Sequence, residues 1–221
     1  MRRFFLVFLC LVLLCPSVRA EEAPMVALTF DDGPSGRFTR RLLEGLAQRK
    51  VCVTFLLCGY RLAENPQLAK QMLQQGHEIG LHGYSHKNMA TMDPKQIAKE
   101  LSDTLALLPE GYRPVFFRPP GGAYSDATLQ AAKKCGFAVL NWSVDPLDWK
   151  NHDAAAVEAA VLSQVKNGDV ILLHDLCDCS VDAALAIVDK LKAQGFRFVT
   201  ASQLAKSRGI TPQPGNVYRH F

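Results

Sequence analysis

From residue 26 onward, short apolar runs alternate with longer stretches whose apolar positions recur at helical spacing. The runs fall at 26–30, 51–57, 78–80, 115–117, 137–141, 170–173 and 196–200, and their length and turn-forming flanks read as strands. Helix punctuation between them is regular. Asn65-Pro66 and Asp93-Pro94 each place a capping residue before a proline in the first turn, and Ser125 and Ser180 are further candidate caps. Gly76, Gly136, Gly168 and Gly195 stand where helices should stop. Leu42, Leu43, Leu46 and Ala47 share one helix face, which assigns that face to core packing. No repeat, low-complexity segment or linker interrupts the pattern.

Strand–helix alternation implies a parallel sheet covered by helices, either an open doubly wound sheet or a closed barrel. No Gly-x-Gly-x-x-Gly follows the first strand, which disfavours a dinucleotide fold. The polar residues favour closure. Asp31 and Asp32 follow the first strand, His82 and His86 the third, and Arg118 the fourth; Asp148 and Trp149 follow the fifth, and His174 ends the sixth. Reactive side chains at the C-terminal ends of successive strands mark the catalytic face of a barrel. The expected fold is therefore an α/β barrel of about seven parallel strands with outer helices.

At 221 residues, 48% hydrophobic and 21% charged, the chain supports one globular domain with a substantial core. Its first twenty residues read as an export signal: Arg2 and Arg3, an apolar stretch at 4–15, then Val18-Arg19-Ala20 as a cleavage site. The stretch is too short to span a bilayer. A lipid anchor is disfavoured because Leu9 and Leu14 precede Cys10 and Cys15; an uncleaved anchor is the alternative. The division expected is 1–20 signal peptide, 21–207 catalytic domain and 208–221 an extended tail containing Pro212, Pro214 and Gly215. Cleavage removes three arginines, so 22 basic residues face 21 acidic ones and the net charge falls from +4 to about +1. Nothing in that balance points to nucleic acid, and no stable membrane insertion is expected after cleavage.

Five of the seven cysteines lie beyond the signal, an odd number that leaves at least one unpaired. Cys52 and Cys58, at opposite ends of one strand, would lie about 20 Å apart and cannot bridge each other. Cys177-x-Cys179 could form a disulfide bordering the cleft or bind metal, with Cys58 as another partner; Cys52 and Cys135 are expected to be buried thiols.

The chemistry centres on Thr29-Phe30-Asp31-Asp32-Gly33-Pro34, where an apolar strand ends in two carboxylates and a turn. His82 and His86 are four apart, a spacing that places both imidazoles on one side of a helical turn. Two histidines and a rim carboxylate make a site compatible with zinc, cobalt, nickel or non-haem iron. One acid would bind the ion and the other act as a base.

With three further motifs, the chain resembles the polysaccharide deacetylase family, metal-dependent carbohydrate esterases that share the chitooligosaccharide deacetylase domain. The resemblance runs from about residue 26 to 200. It implies a distorted barrel with Asp31 as base and Asp32, His82 and His86 as metal ligands. Arg118-Pro119-Pro120-Gly121-Gly122 resembles the third motif, whose arginine holds the base, and Gly121 would offer its N–H to the oxyanion. Asp145-Pro146-Leu147-Asp148-Trp149 resembles the fourth, and Leu172-Leu173-His174 the fifth. Their implied roles are His174 as general acid tuned by Asp148, with Trp149 and Leu172 beside the substrate. Two departures stand out: Gly83 replaces a frequent serine or threonine, and Gly121 a frequent tyrosine. The resemblance implies an exported enzyme, secreted or in the cell envelope, removing N-acetyl groups from a glycan such as peptidoglycan or a chitin-like chain. Zinc is the expected ion, with cobalt or nickel behind it. An O-acetyl esterase on xylan or modified glycan and a catalytically inactive glycan-binding protein are the alternatives. A glycosidase ranks low, having no use for the histidine pair.

Overall fold

The structure is a computed structural model that describes residues 23–221; the signal-peptide reading lies outside those residues. In chain order the elements are β1 (Met25–Asp31), α1 (Arg37–Arg49), β2 (Thr54–Leu57), α2 (Gly59–Glu64), α3 (Pro66–Gln74) and β3 (Glu78–Leu81). Then come α4 (Pro94–Leu105), β4 (Phe116–Phe117), α5 (Asp126–Cys135), β5 (Ala138–Leu140) and α6 (Ala154–Leu162). The chain ends with β6 (Val170–His174), α7 (Asp178–Ala193), β7 (Arg197–Phe198), α8 (Ala201–Ser207) and β8 (Val217–Tyr218).

The strands lie in the order β6-β1-β2-β3-β4-β5-β8, with β7 also on β1, and each pairing between them is parallel. Beyond β5 the chain turns back onto β6. Ser143 and Val144 donate to the Val170 carbonyl at 3.0 and 3.2 Å, and Leu172 donates to the Val144 carbonyl at 3.0 Å. That short junction closes the sheet into the distorted barrel the sequence implies. β1 is buried along its whole length and is the hub of the core, with Val26, Leu28 and Phe30 packing against α1, α7 and the neighbouring strands. Phe30 stacks on Phe55 at 5.4 Å between ring centroids.

Several local expectations are corrected. The residues at 82–86 form no helix. Ser180 does not cap α7; Cys177 does, accepting from the Ser180 N–H. Gly168 sits in the turn before β6 rather than at the end of α6, which stops at Leu162. Ala47 is exposed, and Gly45 completes the α1 face because a Cβ there would strike Leu185 of α7. Cys135 is exposed where α5 ends and the chain turns at Gly136, and Cys52 is only half-buried; Cys58 is the buried thiol and is not disulfide-bonded. In 208–221, Val217–Tyr218 pairs with β5 and Phe221 donates to the Gly168 carbonyl at 2.9 Å, so this segment braces the barrel. Asp93 and Ser125 cap their helices with full capping boxes; Asn65 precedes Pro66 but makes no side-chain cap.

Candidate active site

Register brings the site together before any side chain is considered. In the sheet Asp31 of β1 lies directly beside His174 of β6, and Leu81 of β3 beside Phe117 of β4. The residues that follow, Asp32, His82 and Arg118, therefore emerge at one rim. A cavity of about 340 Å³ opens there, lined by Asp31, Asp32, His82, His86, Gly121 and His174, among others. Arg118 and Asp148 stand behind this lining, fully buried.

Arg118 donates from Nη1 to Asp31 Oδ1 at 2.6 Å and to Thr29 Oγ1 at 3.0 Å. Its other two nitrogens donate to backbone, Nε to the Leu140 carbonyl at 2.6 Å and Nη2 to the Asn141 carbonyl at 3.0 Å. Burial lowers the Arg118 pKa despite the Asp31 carboxylate, but a guanidinium starts so high that it stays charged. Asp31 is thereby a buried carboxylate fixed on one oxygen, with the other 3.7 Å from His82 Nε2.

His82 Nδ1 lies 2.8 Å from the Arg118 carbonyl, which can only accept, so Nδ1 carries the proton. Nε2 then turns a lone pair towards Asp32. Asp32 Oδ1 is buried without a hydrogen-bond partner, 3.2 Å from His82 Nε2 and 2.9 Å from His86 Nε2. With the imidazoles neutral, oxygen and nitrogen lone pairs face each other across these short distances, a repulsion that a proton or a shared cation relieves. These three residues therefore fit a divalent ion. Burial raises the Asp32 pKa, but the two imidazoles against it override this and hold the carboxyl far below the usual range. The Asp32 carboxylate, 2.9 Å away, raises the pKa of His86.

The histidine spacing works through a loop instead of a helical turn. Asp32 and His86 both adopt positive φ, 73° and 58°, strained conformations of the kind found at functional sites. Glu100 of α4 holds the loop, accepting from the N–H groups of Tyr84 and Ser85 at 2.7 Å each and from Ser85 Oγ at 2.7 Å. A serine or threonine at Gly83 would be strained by its φ of 78° and would displace the Met89 tip, whose Cε would lie 2.3 Å from the new Cβ.

Across the cavity, His174 Nδ1 meets Asp148 Oδ1 at 2.8 Å, and the His174 N–H donates to Asp148 Oδ2 at 2.8 Å. Burial alone would push the imidazole down; the Asp148 carboxylate overrides it and the pKa rises to about 9. Leu172 and Trp149 line the cavity, and Trp149 is 58% exposed, so it is not a core tryptophan. Open space surrounds the position of a Gly121 Cβ. Asp145 both lines the cavity and accepts from the Leu147 N–H at 2.9 Å.

Sequence reasoning missed Trp142, which lines the cavity at the end of a run read as strand, and Glu100, one acid on a polar helix face. It also missed Asp175, fully buried beneath the Asp32–Ser35 turn, where Thr39 Oγ1 donates to it. A Cβ on Gly33 would lie 2.5 Å from its carboxylate.

A family profile described as "Polysaccharide deacetylase" matches residues 19–140. The chain is 38% identical over 188 residues to a peptidoglycan-N-acetylglucosamine deacetylase of Bacillus cereus, spanning 82% of this chain and 88% of that one. The chain belongs to the polysaccharide deacetylase family. Another relative in this family, the peptidoglycan-N-acetylmuramic acid deacetylase PdaC of Bacillus subtilis, is 38% identical over 182 residues; the match covers 81% of this chain but 38% of PdaC. Among solved structures, a family 4 acetyl xylan esterase from Clostridium thermocellum, in complex with a cobalt ion, superposes with a TM-score of 0.83 at 34% identity. It covers 89% of this chain and 98% of that one.

Proposed function

We propose that this protein is an exported metal-dependent hydrolase that removes N-acetyl groups from an amino-sugar polymer, with peptidoglycan as first substrate and chitin-like chains second. One observation carries the reading. An arginine-clamped carboxylate, a carboxylate–dihistidine cluster and a carboxylate-paired histidine share one solvent-open cavity. The peptidoglycan deacetylases among its relatives support the substrate class. Among the described residues no helix is long and apolar enough to cross a membrane.

Asp32, His82 and His86 would hold the ion, zinc first, with cobalt or nickel as alternatives. Once bound, it supplies Lewis acidity, which makes water acidic enough to ionise near neutral pH and polarises a carbonyl. Asp31 takes the proton of the attacking water; Arg118, hydrogen-bonded to it, keeps this carboxylate aimed. The Gly121 N–H donates to the oxyanion that develops on the acetyl carbonyl. His174, protonated at neutral pH because of Asp148, delivers a proton to the leaving sugar nitrogen. Leu172, Trp142 and Trp149 give apolar walls to the acetyl methyl and the sugar face.

The similarity to an acetyl xylan esterase favours one second reading, O-acetyl ester cleavage at the same site. The two separate through the leaving group, since an alkoxide needs less help from an acid than an amide nitrogen. The test measures acetate released from N-acetylated peptidoglycan, N-acetylglucosamine oligomers and acetylated xylan by chelator-stripped protein resupplied with zinc, cobalt or nickel. Release from the amide substrates, abolished in His174→Ala, is expected. Release from xylan alone, surviving in His174→Ala, would transfer the assignment to the esterase.

A further inference from the structure

Outside the cleft a second group of metal-ligating atoms meets. His152 lies in the loop ahead of α6, and Cys177 and Cys179 begin α7; one ligand atom from each lies within 4.8 Å of the others. His152 Nδ1 is 3.8 Å from Cys179 Sγ, and Cys177 Sγ accepts from the Ser180 N–H at the helix N-terminus. In the structure the two cysteines are joined as a disulfide. A bond between residues two apart restrains the unfolded chain little, so stability is a weak reason for it. His152 is exposed and both cysteines are half-buried, within reach of an ion or a reductant.

Two thiolates and an imidazole are a donor set for zinc-class ions, unlike the oxygen-containing set in the cleft. With Zn–S about 2.3 Å and Zn–N about 2.0–2.1 Å, tetrahedral binding separates sulfur from nitrogen by about 3.6 Å and sulfur from sulfur by about 3.8 Å. The His152–Cys179 separation already matches such an edge. Sulfurs bonded to each other cannot both ligate. We propose that His152, Cys177 and Cys179 form a second metal site for a zinc-class divalent ion, closed while the disulfide stands and opened by its reduction. A dithiol reductant passes two electrons and two protons to the Cys177–Cys179 bond and leaves as its own disulfide. The two new thiols each release a proton as the ion binds, and the helix N-terminus favours the Cys177 thiolate. One position stays open for water or a fourth donor.

The test uses the full chain freed of metal, in its oxidised form and after anaerobic reduction with a phosphine, titrated with cobalt(II). Thiol titration of the unfolded oxidised form is expected to leave Cys177 and Cys179 unreactive. Oxidised protein is expected to bind cobalt at the Asp32 cluster without a sulfur-to-cobalt charge-transfer band. Reduced protein is expected to take up one further equivalent with that band. Cys177→Ser with Cys179→Ser removes the extra equivalent. His152→Ala, a change at an exposed position that leaves the fold intact, weakens it by about tenfold or more. Asp32→Ala keeps the band while losing the cleft equivalent, so failure at one site cannot pass for failure at the other. Equal uptake by both redox forms would overturn the proposal. A band that survives in the double serine variant, or unchanged affinity in His152→Ala, would overturn it too.

Discussion

Arg118 Nη1 donates to Asp31 Oδ1 at 2.6 Å, and the Arg118 side chain has no solvent exposure. A buried guanidinium with all three nitrogens hydrogen-bonded is tolerable only because carboxylate, hydroxyl and two carbonyls surround it. Arg118→Met strands Asp31 as an uncompensated charge, and the expected loss is roughly 3–5 kcal/mol in chemical denaturation of metal-free protein. Arg118→Lys does not restore it, since an ammonium cannot reproduce the planar fork. A loss below about 1 kcal/mol, the scale of a surface pair, would contradict the clamp.

The two adjacent carboxylates predict opposite losses. Asp31→Asn should keep the metal and lower kcat by about 10²–10⁴, the range for a general base. Asp32→Ala should lose the metal itself, read by metal analysis after dialysis. Full activity in Asp31→Asn would reject its assignment as base.

The Asp148–His174 contact sets a pH dependence. In the metal-free protein the folded pKa of His174 is raised from 6.5 to about 9. Stability from the pair is therefore complete below about pH 6.5 and is lost as pH rises through about 9. Asp148→Asn should move the imidazole titration, followed by NMR, several tenths to units downward. A wild-type imidazole titrating near 6.5 would contradict the pairing.

Glu100 touches neither cavity nor candidate ligand, yet it holds the backbone between His82 and His86 through three hydrogen bonds. Glu100→Ala should weaken zinc binding by about 10–100-fold in chelator competition, the usual cost of losing a group that orients a metal ligand. Unchanged affinity would show that the strained His86 backbone holds itself.

Much of this arrangement was legible in the chain. Strand–helix alternation predicted a parallel sheet covered by helices, and the polar residues at strand ends favoured its closure and marked the rim that carries the chemistry. What escaped depends on tertiary position. His86 lies near His82 through a positive-φ loop, so helical spacing gave the right neighbours for the wrong reason. Glu100 looks in sequence like any acid on an amphipathic helix, and only the packing of α4 turns it towards Tyr84 and Ser85. β8 is two residues between polar neighbours, too short for a hydrophobic pattern to reveal. Asp175 follows His174 directly, but its burial under Gly33 exists only once β1 and β6 pair.

The most direct measurement is anomalous diffraction from crystals of the full chain soaked in zinc. The account predicts a peak bonded to Asp32, His82 Nε2 and His86 Nε2 at about 2.0–2.2 Å, with Asp31 beside it and not ligating. No peak among those three side chains, whatever metal is found elsewhere, would contradict it.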